Sequence, residues 1–292
     1  MISKVVFVTS PANQNAGSKL LRSDQLRRLA ASVLTTRDVP TVTADNTDFS
    51  DAILILGKYP LLGANPQTIA DSKRRGNLVY ADPLDGQVAN EVLAAADVLI
   101  ASSSTQSADF ARRFTRQRTA YVGHHVDLRI GPVQSPSDML RLGYFGEMFN
   151  ARFAEELSDE IGFHRTDTSR ASDVRWIAQL PRYNAHYALR ARQRSDGFKP
   201  FTKGFVAAHC GAVIVVAADD EEARAFLPAD YPYMTAGASV HQVRDVIERM
   251  RADFNGPNWR HSLAAMAEIR ASSSRDMVAR QLFEAVAPDL KK

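Results

Sequence analysis

The sequence of 292 residues has few cysteines, no long apolar segments and no clustered charge. Its one cysteine, Cys210, excludes an internal disulfide framework and any cysteine-based zinc site, and we expect no metal site elsewhere. No apolar segment approaches the length of a membrane span, and the strand-like N-terminus lacks the apolar core of a signal peptide. A net charge of +3 without a run of five like charges argues against nucleic acid as a partner. We therefore expect a cytoplasmic protein.

Short apolar runs alternate with amphipathic helical stretches along most of the chain. Strands are predicted at residues 5–8, 39–42, 52–56, 77–81, 98–102 and 119–122, and helices at 18–34, 66–75, 91–95 and 105–114. After the polar segment 129–138, a second set of elements comprises 140–144, 150–161, 174–178, 185–189, 203–210 and 212–216, with helices at 240–253, 258–272 and 275–286. Apolar strands bounded by helices indicate βαβ units and parallel sheets. The predicted fold class is α/β with two Rossmann-like domains, residues 1–130 and 131–292.

A basic loop leads into a short helix and a buried strand in the second half of the chain. Lys199 lies in this loop, Lys203 begins the helical run, Gly211 stops it, and residues 212–216 are wholly apolar. Free N–H groups and the helix dipole favour an anion at such a helix start, and two ammonium groups strengthen the preference. A phosphate or diphosphate is the simplest ligand. The alternative is an ordinary loop–helix–strand unit with exposed lysines.

The order of these residues resembles the donor-binding half of nucleotide-sugar glycosyltransferases with the two-Rossmann-domain GT-B fold. The matching residues are Ala207, Ala208, Cys210, Gly211 and the strand 213–216, with K-P-x-x-K at Lys199, Pro200 and Lys203. The K-P-x-x-K form resembles a branch of these enzymes that makes polysaccharides and glycoconjugates. In one respect the chain departs from the pattern, since Phe198 and Val206 stand where many retaining members carry two glutamates.

The resemblance implies an N-terminal acceptor-side domain, a C-terminal donor domain and a cleft between them. In the family a last helix commonly crosses back onto the N-terminal domain, and residues 275–286 are the candidate. Donor-binding residues would be Gly146, Glu147, Asn150, Arg190, Lys199, Thr202 and Lys203, with Arg192 as a second arginine for the phosphates. Acceptor-side residues would be Gly17, Ser18 and Lys58. Residue chemistry adds that Gly146 and Gly17 let a ligand approach the backbone, while Ser18 or Asn150 can simply cap a helix.

Several residues are candidates for a general base, and the sequence leaves the choice open. Asp82 and Asp85 follow a predicted strand, where either takes a proton from an acceptor hydroxyl or turns the chain. Turn formation is the better interpretation of Asp85, which precedes a glycine. His124 and His125 follow the last predicted strand of the first domain, and neighbours in extended chain point in opposite directions. The predicted catalytic residues are His124, Asp82 and Lys203.

The resemblance implies a metal-independent hexosyltransferase (EC 2.4) that needs no cofactor and uses a nucleotide diphosphate sugar as donor. Lys203 and Lys199 would stabilise the leaving diphosphate, while retention or inversion at the sugar stays open. The acceptor would be a carbohydrate or a lipid-linked hydroxyl compound, and the latter is compatible with peripheral membrane contact. One alternative is a non-catalytic nucleotide-sugar-binding relative or partner subunit. Another is a sugar-nucleotide epimerase on the same fold.

Overall fold

The computed structural model describes residues 2–35, 39–170, 172–191 and 197–290. The described residues divide into two compact units, one drawn from residues 1–125, 195–200 and 274–292, the other from 126–194 and 201–273. Each unit is built on its own parallel sheet, with α-helices between many of the successive strands, so the predicted α/β class with two Rossmann-like units is confirmed. No helix in these described ranges combines the length and the apolar character needed to cross a membrane.

The first unit holds a sheet of six parallel strands with the order β2-β1-β3-β4-β5-β6. In chain order its elements are β1 Lys4–Val8, α1 Asp24–Leu34, β2 Thr41–Ala44, β3 Ala52–Leu56, α2 Lys58–Gly63, α3 Pro66–Arg74, β4 Leu78–Ala81, α4 Asn90–Ala95, β5 Val98–Ala101, α5 Ser104–Arg113 and β6 Arg118–Tyr121. The central strand β3 reads A-I-L-I-L and is buried throughout, as expected for a parallel strand covered on both faces. Because all strands are parallel, their carboxyl ends lie at one edge of the sheet.

The second unit holds five parallel strands with the order β11-β10-β9-β7-β8. Its elements are β7 Leu142–Gly146, β8 Ile161–Arg165, β9 Ala185–Tyr187, α6 Thr202–His209, β10 Val213–Ala217, α7 Glu221–Phe226, β11 Met234–Thr235, α8 Val240–Asp253 and α9 Pro257–Ser272. As predicted, α6 ends before Gly211, whose φ of +65° takes the chain out of the helix. The buried strand β10 follows directly.

Strand β8 was not predicted from the sequence, and the elements predicted at residues 150–161 and 174–178 are not formed. Residues 152–160 form turns, and no strand or α-helix covers 174–178, where a 3-10 helix starts only at Ile177. The sequence of β8, I-G-F-H-R, has no continuous apolar run, and one of its faces is covered by an aromatic ring. A Cβ atom on Gly162 would lie 2.0 Å from the Tyr183 Oη, and one on Gly143 would lie 2.7 Å from the Tyr183 Cγ. The two glycines therefore make room for Tyr183 on the sheet.

The last helix, α10 Arg275–Leu290, packs on α1 in the first unit. Near its end Asp289 accepts a hydrogen bond of 2.6 Å from the buried Tyr80 hydroxyl on β4. Arg118 on β6 donates to the same carboxylate at 2.5 Å. These contacts attach the C-terminal residues of the chain to the sheet formed by its N-terminal residues.

Candidate functional site

The candidate site of the second unit lies at the carboxyl ends of β7 and β9. After β7 the chain makes a short 3-10 helix, Met148–Asn150, which carries a half-buried Asn150. An isolated antiparallel bridge between Ala151 and Arg190 ties this loop to the chain that leaves β9. The Ala191 N–H adds a hydrogen bond of 3.0 Å to the Asn150 carbonyl. The structure thus brings Gly146, Glu147, Asn150 and Arg190 to one edge of the sheet.

Gly146 and Lys203 lie side by side at this edge. A Cβ atom on Gly146 would stand 2.7 Å from the Lys203 Nζ and 2.7 Å from the Tyr144 Oη, so only glycine leaves this space open. The Lys203 Nζ lies 5.0 Å from the centroid of the Tyr144 ring, which favours a cation. The Tyr144 hydroxyl donates to the Glu147 carbonyl at 2.7 Å and so fixes the start of the loop.

Tyr144 was not predicted as a site residue. Tyr144 and Gly146 are two positions apart on β7, and alternation along a strand places them on the same face. That spacing is the signal that could have revealed it. Burial raises the pKa of Tyr144 to about 12, although the nearby Arg190 charge lowers it. The hydroxyl therefore stays protonated and keeps donating to the loop.

Arg190 brings a second positive charge to the same place. It acts on Tyr144 electrostatically, and its Nε is buried without a hydrogen-bond partner in the described structure. A buried guanidinium nitrogen without an acceptor is costly, and such groups normally find a partner. Arginine is suited to phosphate groups because its donors are planar and fixed. The arrangement can thus accept an anion at Arg190 and Lys203.

The first turn of helix α6 begins directly after Phe201. Phe201 is the N-cap residue and offers no side-chain acceptor to the N–H groups of that turn. Thr202 is exposed at the first position, and Lys203 follows it. Lys199 is half-buried and belongs with the first unit by its contacts, so the structure does not group it with Lys203 in one unit. Arg192 lies outside the described residues.

In the first unit, Asp82 forms a buried ion pair with Arg22. The Arg22 Nε donates to Asp82 Oδ2 at 2.9 Å, and Nη2 donates to Oδ1 at 3.2 Å. Only 2% of the Arg22 side chain and 1% of the Asp82 side chain are exposed. Arg22 reaches this place because a π-helix, Lys19–Ser23, precedes α1 and turns both Arg22 and Ser23 inward. The structure therefore gives Asp82 a partner 60 residues away in the chain.

His124 is buried beside this ion pair, with 7% of its surface exposed. Its Nε2 atom is buried and has no hydrogen-bond partner within the described ranges. Burial, and then the positive charge of Arg22, hold the pKa of His124 well below its usual range. The imidazole is therefore neutral near pH 7. His125, its neighbour, is half-buried, and its carbonyl accepts a hydrogen bond of 2.9 Å from Gln25.

The remaining first-unit candidates lie at the same carboxyl edge, after β1, β3 and β4. Gly17 and Ser18 are half-buried before the π-helix, and Ser18 makes no side-chain capping bond. Lys58 begins α2 and forms an ion pair of 2.7 Å with Asp85. A Cβ atom on Gly86 would lie 3.0 Å from the Lys58 Cγ, so the lysine packs closely on the turn after β4. These contacts hold Lys58 in place at the sheet edge.

Comparisons by sequence find no matching family model and no matching curated protein. Solved structures do match. Sucrose-phosphate synthase from Thermosynechococcus elongatus is 12% identical, with 99% of each chain covered and a TM-score of 0.64. Anabaena HepE, solved in complex with UDP, is 13% identical, with 99% of each chain covered and a TM-score of 0.60. A glycosyltransferase from Rickettsia africae is 8% identical, with 100% of this chain and 99% of the other covered and a TM-score of 0.65.

Such low identities establish the fold and not the activity. The matches extend over nearly the whole chain, so they cover both parallel sheets and not one Rossmann-like unit alone. The GT-B resemblance seen in the sequence is confirmed at this level. The chain has the two-domain GT-B fold of these glycosyltransferase structures.

Proposed function

We propose that the protein is a cytoplasmic glycosyltransferase that moves a sugar from a nucleotide diphosphate sugar to an acceptor hydroxyl without a metal ion. The observation that carries this proposal is the buried Nε of Arg190, which has no hydrogen-bond partner among the described residues and lies close to Tyr144 and its neighbour Lys203. A diphosphate supplies the missing acceptor to Arg190. The solved structure of Anabaena HepE with UDP-glucose shows that a protein of this fold binds such a donor.

The second unit would bind the donor and stabilise the leaving group. As the bond between the sugar carbon and the phosphate oxygen breaks, negative charge grows on the diphosphate. Lys203 and Arg190 would receive that charge, and such stabilisation is often the largest catalytic contribution. Gly146 lets the diphosphate approach the backbone. Glu147 and Asn150, on the loop that follows, are the candidates to bind the sugar hydroxyls.

The first unit would hold the acceptor, with Lys58, Gly17 and Ser18 at its sheet edge. The acceptor hydroxyl must lose a proton when its oxygen bonds to the sugar carbon. His124 is favoured over Asp82 for contact with a hydroxyl group, because its neutral Nε2 has no partner among the described residues. Asp82 is nearly inaccessible and engaged with Arg22. Polysaccharide or glycoconjugate synthesis, with a carbohydrate or lipid-linked acceptor, is the proposed context.

Calorimetric titration with UDP, GDP, ADP, CDP and dTDP, with and without magnesium, tests the donor site. We expect selective binding of one nucleotide without magnesium. Lys203→Ala and Arg190→Gln should each weaken it by about 10- to 100-fold, since a hydrogen bond to a charged group contributes about 1.5–3 kcal/mol. Arg175→Gln is the matched control, because Arg175 is 90% exposed in the same unit and pairs with Asp173. Unchanged affinity in both site variants would contradict the proposed donor site.

One alternative is favoured by the sequence itself. Phe198 and Val206 provide no carboxylates where many retaining members of the family carry glutamates. Without those carboxylates the protein could bind a nucleotide sugar and not transfer it. Such a non-catalytic protein would still use Lys203 and Arg190 to bind the diphosphate. Release of nucleoside diphosphate from the bound donor in the presence of acceptors separates the two. Binding without release would support the non-catalytic protein, and a changed sugar without release would indicate an epimerase.

A further inference from the structure

We propose that Arg22, held by Asp82, is a positioning residue that fixes the backbone around His124 and leaves Nε2 of His124 for a substrate hydroxyl. The inference rests on the proposed function, because the substrate hydroxyl is the one that takes part in the proposed sugar transfer. It gives Asp82 a role different from the one expected from the sequence. The role is to hold Arg22 in place.

The backbone on both sides of His124 is held by side chains from three helical segments, namely the π-helix before α1, α1 itself and α10. Arg22 Nη1 donates to the Gly123 carbonyl at 2.7 Å, directly before the His124 peptide nitrogen. Gln281 on α10 accepts from the Gly123 N–H at 2.9 Å. On the other side Gln25 donates to the His125 carbonyl. Such a restrained backbone fixes the place of the imidazole to the accuracy that positioning of a substrate requires.

Arg22 can hold the Gly123 carbonyl only while Asp82 orients its guanidinium. Two of its nitrogens bond to the two carboxylate oxygens, and the third bonds to the carbonyl. Because the guanidinium is planar and rigid, its two bonds to Asp82 fix where the third nitrogen lies. That nitrogen in turn fixes the position of the Gly123 carbonyl. Lysine carries the same charge but has no fork, so it cannot make this set of bonds.

The charges around His124 define the electrostatic part of the proposal. Arg22, on the π-helix before α1, is the charged group that acts on His124. Asp82, in the turn after β4, is paired with Arg22. The side chains that approach from α1 and α10, Gln25 and Gln281, are neutral. Removing the Arg22 charge should therefore raise the pKa of His124. Removing the Asp82 charge leaves Arg22 uncompensated and should not raise it.

Histidine NMR spectra recorded against pH provide a test that does not depend on turnover. The protein has seven histidines, and the spectrum of His124→Gln assigns the His124 signals. Arg22→Gln should move the protonation midpoint of His124 upward by about one pH unit or more, as expected for loss of a neighbouring charge. Asp82→Asn and Arg22→Lys should not move it upward. Arg113→Gln is the control, since Arg113 pairs with Asp109 on α5 of the same unit.

Loss of one partner leaves an unpaired buried charge, which strongly destabilises a protein. The double variant Arg22→Met/Asp82→Leu removes both charges. We expect it to fold and to show an upward shift smaller than that of Arg22→Gln, because the Asp82 charge that favours a protonated imidazole is lost as well. An unchanged His124 midpoint in the double variant or in Arg22→Gln would overturn the proposal.

Steady-state kinetics then separates positioning from charge. Arg22→Lys should lower kcat by about tenfold or more with the acid limb of the pH profile unmoved, because the charge stays and the fork is lost. In Arg22→Gln the acid limb should move to higher pH. Wild-type kcat in Arg22→Lys would overturn the positioning role. If the NMR shifts appear but no donor is turned over, the proposed function fails while the effect of Arg22 on His124 stands.

Discussion

Replacing Gly204 by alanine should destabilise the second unit, although alanine is the better helix former. Gly204 lies in the first turn of α6, and a Cβ atom there would lie 2.0 Å from the Phe201 Cε1 and 2.3 Å from two further ring atoms. Carbon atoms in contact are about 3.5–4.0 Å apart, so the ring would have to withdraw by about 1.5 Å. Phe201 cannot move freely, because it stacks on Phe226 and meets Phe205 edge to face.

The expected change follows from two opposing contributions. Alanine in place of glycine stabilises a helix by at most about 1 kcal/mol. Overpacking of a well-packed core costs about 1–3 kcal/mol. An approach of 2.0 Å belongs to the upper part of that range, about 2–3 kcal/mol, so we expect a net loss of about 1–2 kcal/mol in the free energy of unfolding. Phe201 is also the N-cap residue before Lys203, so nucleotide affinity should fall in the same variant.

Urea unfolding followed by tryptophan fluorescence measures this change. The chain has two tryptophans, and both Trp176 and Trp259 belong to the second unit, so the signal reports that unit. Gly131→Ala is the matched control, because a Cβ atom on Gly131 meets nothing within 4 Å. It should leave the midpoint nearly unchanged. A Gly204→Ala protein as stable as the wild type, or more stable, would refute the argument from the Phe201 ring.

Two further predictions concern buried titratable groups of the second unit. Burial lowers the pKa of His186 to about 3, so between about pH 6.5 and 3 the unfolded chain binds a proton that the folded protein excludes, and stability falls as pH falls. Between pH 7 and pH 5 the free energy of unfolding of His186→Phe should fall by about 2 kcal/mol less than that of the wild type. Urea unfolding at both pH values measures the two decreases, and equal decreases would contradict this role of His186. Burial raises the pKa of the Cys210 thiol to about 12, so a disulfide reagent at pH 8 should react at least about a hundredfold more slowly with native than with unfolded protein. Rapid reaction of the native thiol would show that Cys210 is not packed in the core.

The strands were predictable where burial on both faces leaves an apolar run in the sequence. β3 and β10 are examples, and the end of α6 before Gly211 could also be read from the sequence. β8 could not be predicted in this way, because Tyr183 covers its glycine-containing face. The ring comes from a residue about 20 positions away, so nothing in the strand's own sequence shows that the Gly162 face is covered.

The candidate site was only partly predictable for a similar reason. The sequence indicated that Gly146, Lys203 and Arg190 are suited to a diphosphate, but not that Tyr144 lies beneath the lysine. It also indicated Asp82 and His124 as separate candidates for a base. The buried pair of Asp82 with Arg22, and the place of His124 beside it, appear only in the structure.

The sequence by itself determined the α/β class, most strands and helices, and the residue types suited to an anion at the start of α6. These are local properties, set by side-chain periodicity, helix-stopping residues and charge along short segments. Tertiary structure alone decided which polar groups are paired and which, among the described residues, have no partner. Those pairings join residues far apart in the chain, such as Arg22 and Asp82, or Tyr80 and Asp289, and burial then sets the charge state of their neighbours.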